Sequence, residues 1–105
     1  MQKKLDHIHH IALQVQSIEQ ALAWYQSQLH CEILYQDDSW ALLRFANIEL
    51  ALVLPDEHPP HIAVVRDEIS QYGQVMKHRD GTSSVYIRDL DQNTIEMLQL
   101  KKSWR

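Results

Sequence analysis

His10-Ile11-Ala12-Leu13, near the start of the chain, recurs as His61-Ile62-Ala63-Val64 just past its middle. A second phrase, Ile48-Glu49-Leu50, recurs as Ile95-Glu96-Met97 near the end. Each half of the chain therefore opens with a histidine-led apolar phrase and closes with a glutamate-centred one. Because two imidazoles and two carboxylates keep matched places, this duplication predicts a divalent metal site shared between the halves.

Size and composition indicate one globular domain. The chain has 105 residues, 45% of them hydrophobic, and a formal net charge of −4, which gives no basic surface for nucleic acid. Its apolar runs fall well short of the roughly 20 residues that a membrane span needs. The single cysteine, Cys31, excludes an internal disulfide. We therefore expect a cytoplasmic protein with neither a nucleic-acid nor a membrane partner.

Hydrophobic periodicity predicts a β-α-β-β-β order in the first half, with strands at 9–15, 32–36, 40–45 and 48–54 and a helix at 17–30. Ser17, with Gln20 three residues later, has the side-chain pattern of a capping box that opens this helix. Ile18, Ala21, Leu22, Tyr25 and Leu29 form its apolar stripe.

The second half repeats the strands but not the helix. Strands are predicted at 61–65, 75–78, 83–88 and 94–100, with an Asp80-Gly81 hairpin turn, whereas 67–72 leaves room for at most a turn or two of helix. The fold class is therefore α+β. The domain, 1–105, is expected to comprise module 1 at 7–54, a Pro-rich linker at 55–60 and module 2 at 61–100.

Side-chain parity assigns the ligand residues to one face of each half. Ile11, Leu13 and Val15 share a face of the first strand, and we expect the helix stripe to cover them together with the apolar face of the fourth strand. His10 then lies on the opposite face, as does Glu49 on the fourth strand. The second half repeats this arrangement with His61 and Glu96.

A metal site at His10, Glu49, His61 and Glu96 is the prediction that this parity supports. Alone, a histidine at a strand start is usually a capping or partly buried residue, and a strand glutamate usually faces solvent. Matched order and parity in both halves favour the metal site. Two imidazoles and two carboxylates suit Zn, Ni, Co, Mn or Fe(II). A six-coordinate ion would keep two adjacent positions for water or for two neighbouring oxygens of a substrate.

The chain resembles the vicinal oxygen chelate superfamily, which includes glyoxalase I, fosfomycin-resistance proteins, extradiol dioxygenases and bleomycin-resistance proteins. The resemblance rests on His9-His10-Ile11-Ala12-Leu13, Tyr86-Ile87-Arg88-Asp89 and Asn93-Thr94-Ile95-Glu96. It implies paired βαβββ modules around a divalent metal, with the module 2 helix shortened or missing here. It also implies that His10, His61 and Glu96 are metal ligands and that Glu49 takes the place of the additional acid of glyoxalase I.

One turn departs from the family pattern. The family's Asp-Pro-Asp-Gly-Asn turn stands here as Asp89-Leu90-Asp91-Gln92-Asn93. Losing Pro and Gly changes the backbone preferences of the turn, although Asn93 can take a positive φ. The long loops with which longer relatives grip glutathione or a drug are absent from the sequence pattern.

Three functions compete. A glyoxalase-type isomerase or lyase would use Glu49 or Glu96 to move a proton between adjacent carbons of a metal-chelating substrate, and the fourth ligand, Glu49, favours this class. An Fe(II) extradiol-type dioxygenase would use His10, His61 and Glu96 as a facial triad. A non-catalytic protein of the bleomycin-resistance type would bind a small molecule or drug in the cleft.

The substrate-lining residues and the assembly complete the predictions. Tyr86, Trp40 and Arg88 are candidates to line the cleft, although Trp40 also suits core or rim packing. Relatives similar to glyoxalase I often place each site across a two-fold dimer, and the thin second module leaves a sheet face that a partner can cover. We therefore expect a homodimer that binds a small-molecule substrate.

Overall fold

A computed structural model of the chain describes residues 4–78 and 80–101; residues 1–3, Arg79 of the predicted hairpin turn and residues 102–105 lie outside the described residues. The described part contains one α-helix, one 3-10 helix and eight strands of a mixed sheet. This confirms the α+β class with βαβββ modules and a shortened second helix. The elements are β1 His7–Gln14, α1 Ile18–Gln28, β2 Glu32–Gln36, β3 Trp40–Arg44, β4 Glu49–Val53, β5 His61–Val65, the 3-10 helix Ile69–Tyr72, β6 Met76–Lys77, β7 Ser83–Arg88 and β8 Thr94–Gln99.

The chain divides into two compact units. The first unit is His10–His61, and the second unit is Met1–His9 with Ile62–Arg105. The first three residues of β1 thus belong to the second unit, and its other residues belong to the first. Only His61 of β5 belongs to the first unit.

The first unit has the strand order β2-β3-β4-β1. Strands β2, β3 and β4 pair antiparallel, and β1 pairs parallel with β4. Helix α1 buries Ile18 and Leu22 against strand residues Ala41, Leu43 and Leu52. The two helix side chains supply roughly 1.5–3 kcal/mol each of hydrophobic stabilisation before ordering entropy is subtracted.

The ends of α1 follow from local hydrogen bonds. Ser17 is the N-cap, and its hydroxyl oxygen accepts from the backbone N–H of Gln20 at 3.2 Å. The last α-helical residue is Gln28, and the N–H of Leu29 donates to the carbonyl of Tyr25 at 2.8 Å. The helix therefore ends two residues before the predicted end because Leu29 already has an extended backbone.

The apolar face of β1 departs from the prediction. Ile11 and Leu13, expected beneath the helix, are 36% and 40% exposed. Leu13 lies in register with Leu52, which is 0% exposed. The reason is the placement of α1, which packs on β3 and β4. Of the three predicted β1 residues, only Val15 packs against the helix cluster.

The second unit has the strand order β5-β8-β7-β6, with β8, β7 and β6 paired antiparallel. Its core contains Ile69 of the 3-10 helix with Val85 and Met97 of the sheet. One turn of helix therefore covers this face where the first unit has a full helix. Arg66 clamps the N-terminal segment to the same unit through a bidentate contact with the Asp6 carboxylate, at 2.6 and 2.8 Å.

The β7–β8 turn is built on Asp89. Its Oδ1 accepts from the backbone N–H groups of Asp91 and Asn93, both at 2.9 Å, and its Oδ2 accepts from the Asn93 amide at 3.0 Å. The positive φ, +70°, falls on Gln92 and not on Asn93. Asn93 can take a positive φ but does not do so here, where its backbone N–H and its amide both donate to Asp89.

Candidate metal centre

Two of the four predicted ligands, His10 and His61, lie together in the first unit. Their ring centroids are 5.5 Å apart and their planes meet at 71°. His61 is buried and His10 is half-buried. The repeated histidine-led phrases thus bring two imidazoles side by side, as the sequence predicts.

The ring of His61 has a fixed tautomer. Its Nδ1 lies 2.9 Å from the carbonyl oxygen of Pro59. A carbonyl oxygen can only accept, so Nδ1 carries the proton and Nε2 keeps its lone pair. Metal-bound histidines commonly donate their second ring N–H to a carbonyl in this way. The Pro-rich linker therefore orients His61 as well as joining the two halves of the sequence.

A third histidine, His58, lies close to this pair. Its ring centroid is 6.3 Å from that of His61, and its carbonyl accepts from the Gln14 side-chain amide at 2.9 Å. Sequence reasoning did not select His58. Its place in the Pro-dense stretch, three residues before a predicted ligand, was the available signal.

Glu49 is placed beside His10 by strand register. The two residues are Cα partners in the parallel pair of β1 and β4, and register partners direct their side chains to the same face. Glu49 is half-buried. Its antiparallel partner Arg44 instead forms an exposed ion pair with Glu32 at 2.7 Å. The predicted parity of His10 and Glu49 is therefore present within the first unit.

Glu96 lies in the second unit and is only 4% exposed. Its Oε2 accepts a short hydrogen bond from the Ser84 hydroxyl. The Oγ of Ser84 is also 2.7 Å from Nε2 of His78, which in turn lies 3.8 Å from Glu96 Oε2. This buried carboxylate is therefore hydrogen-bonded to Ser84, which in turn contacts His78. A buried charged group requires such hydrogen-bond partners.

His78 and Ser84 were not among the predicted site residues. His78 is half-buried, because the turn closed by His78 N–H to Thr82 carbonyl, at 2.9 Å, returns it toward Ser84. Ser84 has the parity of Tyr86, the register partner of Glu96, so Ser84 lies diagonally across from Glu96 on one face. That shared parity was the available signal.

The three predicted lining residues have different environments. Tyr86 is half-buried, and burial first, then the Glu96 carboxylate, raises the pKa of its phenol. Arg88 is exposed on the same strand. Trp40 stacks on Tyr35 with ring centroids 4.6 Å apart at the β2–β3 turn. The Tyr35 hydroxyl donates to Asp37 at 2.5 Å. Trp40 is therefore packed against a tyrosine of the neighbouring strand.

No family model matches the chain, and no curated protein matches its sequence. Solved structures do match its fold. A hypothetical protein from Bacillus halodurans C-125 has a TM-score of 0.74 at 19% identity, covering 94% of this chain and 97% of the other. A glyoxalase/bleomycin resistance protein/dioxygenase superfamily member from Vibrio splendidus 12B01 has a TM-score of 0.72 at 12% identity, covering 91% and 100%.

Methylmalonyl-CoA epimerase from Mycobacterium tuberculosis is a third neighbour, with a TM-score of 0.69 at 15% identity, covering 91% of this chain and 89% of that one. No helix among the described residues has the length and apolar character to cross a membrane. The strand order within each unit and these neighbours agree with the sequence resemblance. The fold of this chain is that of the vicinal oxygen chelate superfamily.

Proposed function

We propose that the chain binds one divalent metal ion through His10, His61 and Glu96, with Glu49 as a fourth ligand. The observation that carries the proposal is that the rings of His10 and His61 lie side by side in the first unit, with their centroids 5.5 Å apart. The tautomer of His61 supports it, since the proton on Nδ1 leaves on Nε2 the lone pair that coordination requires. Two imidazoles with one or two carboxylates fit Zn, Ni, Co, Mn or Fe(II).

We propose glyoxalase-type chemistry, of the isomerase or lyase kind, on a substrate with two neighbouring oxygens. A bound divalent ion would supply Lewis-acid polarisation of those oxygens. Glu49 is the carboxylate to which we assign proton transfer between adjacent carbons, because Glu96 is held at Oε2 by Ser84. The buried neighbours of His10 and Glu49 on this face, Ala12 and Ala51, are small and apolar, which helps exclude water from the proton-transfer site.

Metal content tests the ligand set. We expect the purified protein to hold about one equivalent of divalent metal, and a variant with both His10→Ala and His61→Ala to hold almost none. His30→Ala, at an exposed histidine, is the matched control and should retain the metal. Equal and negligible metal in the parent and the double variant would refute the metal site and favour the non-catalytic binding protein.

A second candidate function is the Fe(II) extradiol-type dioxygenase. His10, His61 and Glu96, taken without Glu49, are two histidines and one carboxylate, which is the composition of a facial triad. Glu49→Gln separates the two functions. It should abolish Ni-, Co- or Zn-dependent isomerisation of hydroxy-carbonyl substrates, because the assigned proton carrier is lost. A dioxygenase would instead retain Fe(II)-dependent oxygen uptake with catechols in this variant.

We further propose that the protein is a cytoplasmic homodimer acting on a small molecule. The exposed apolar side chains of Ile11 and Leu13 on β1 support a partner surface. Light scattering should give twice the 12.4 kDa chain mass. Leu13→Lys should shift the protein to one chain mass, and an unchanged parent mass of one chain would refute the dimer.

A further inference from the structure

Three polar side chains of the second unit form a continuous hydrogen-bonded chain. His78 Nε2 lies 2.7 Å from Ser84 Oγ, and the Ser84 hydroxyl makes a short hydrogen bond to Glu96 Oε2. Ser84 is 0% exposed and Glu96 is 4% exposed, so both atoms of this second bond are shielded from water. His78, which is half-buried, is the last member of this hydrogen-bonded series.

The direction of this chain follows from the chemistry of its members. The Ser84 hydroxyl donates to Glu96 Oε2, and it has a single proton, so that proton is directed to the carboxylate. Ser84 Oγ then receives the proton of its other neighbour, and His78 must donate from Nε2. The neutral ring of His78 therefore has its proton on Nε2, opposite to His61, whose proton is on Nδ1.

We propose that His78 and Ser84 are positioning residues that fix the orientation of the Glu96 carboxylate. The role as a support of a metal ligand rests on the proposed function, whereas the directed chain itself does not. Glutamate has three side-chain torsions. When a hydrogen bond at one oxygen holds its buried carboxylate, the side chain has already lost most of the conformational entropy that metal binding would otherwise remove. Supporting groups of this kind commonly change metal affinity about 10- to 100-fold.

The local sequence explains how His78 reaches Ser84. The Asp80-Gly81 turn connects β6 to β7, and Gly81 takes a φ of +93° that favours glycine. Asp80 Oδ1 accepts from the N–H and the hydroxyl of Thr82, at 2.9 and 2.7 Å, which fixes the turn. The hairpin thereby places His78 two residues beyond Met76, the register partner of Ser84, and on the same face as Met76.

Nitrogen-15 NMR of the histidine rings tests the hydrogen-bonded series His78, Ser84 and Glu96 without any metal. We expect His78 to have the Nε2–H tautomer in the parent protein and in Ser83→Ala, the matched control at the neighbouring serine. Ser84→Ala removes the acceptor, and the His78 spectrum should then move toward a tautomer mixture. A mixture in the parent, or an unchanged spectrum in Ser84→Ala, would overturn the inference.

Co²⁺ binding tests the consequence for the site. Ser84→Ala should bind Co²⁺ about 10- to 100-fold more weakly and with an altered visible absorption spectrum, whereas Ser83→Ala should match the parent. His78→Ala should weaken binding, and His78→Gln should restore it because its amide can donate to Ser84. Parent-like affinity and spectrum in Ser84→Ala would overturn the inference while leaving the metal site intact. A parent protein that binds no Co²⁺ would refute the proposed function, and the tautomer experiment would still decide the directed chain.

Discussion

Leu52→Ala and Leu13→Ala form a matched pair that tests the reach of helix α1. The two leucines are register partners on the same face of adjacent strands, but Leu52 is 0% exposed and Leu13 is 40% exposed. Leu52→Ala leaves a cavity under the helix and should lower the free energy of unfolding by about 3 kcal/mol. Leu13→Ala removes a partly solvated side chain without an enclosed cavity and should cost about 1 kcal/mol.

Thermal and urea unfolding measure this difference. A domain of this size loses roughly 4–8 °C of melting temperature per kcal/mol, so Leu52→Ala should melt about 15 °C below the parent and Leu13→Ala about 5 °C below. The measurements should be made over a range of protein concentrations, because a dimer that covers Leu13 would make its loss concentration-dependent. Equal losses at the lowest concentration would refute the inference that α1 covers β4 and leaves β1 exposed.

The remaining predictions concern local backbone and charge. Gln92→Gly should raise the free energy of unfolding by about 0.5–1 kcal/mol in urea titration, because glycine accepts the positive φ of +70° without a Cβ penalty. Ser17→Ala should lower it by about 1 kcal/mol through loss of the N-cap of α1, read by the same titration. The pKa of Asp37 is lowered from 3.8 to about 2 by the Tyr35 hydroxyl first and then by the N–H groups of Ser39 and Trp40. Its stabilising effect is therefore present above pH 3.8 and lost as the pH falls through about 2, and Asp37→Asn should flatten the stability profile across this window.

The sequence pattern predicted the order of elements because the apolar period differs between strands and helices. β2, β5 and β7 have the predicted bounds, and Ser17 caps α1 as its side chain suggests. Period alone did not predict how far the helix extends over the sheet. Parity assigns Ile11 and Leu13 to a face, but whether that face is covered depends on the length and placement of α1.

The relative positions of the candidate ligands were predictable where sequence repetition and side-chain parity determine them. His10 and His61 lie together, and Glu49 shares the face of His10 through strand register. The groups that hold the ligands were not predictable in this way. His78 reaches Ser84 through a turn whose geometry depends on Asp80 and Gly81, and no repeat marks either residue.

Two ligands of the proposed centre, His61 and Glu96, are oriented by different kinds of group. In the first unit a backbone carbonyl, that of Pro59, fixes the ring of His61. In the second unit a side-chain hydroxyl, that of Ser84, fixes the carboxylate of Glu96. A carbonyl accepts and so selects an imidazole tautomer with Nε2 as the ligand, whereas a hydroxyl donates and so suits an ionised carboxylate. Both of these ligands belong to the second half of the sequence repeat, and in each case the supporting atom matches the chemistry of the ligand that it holds.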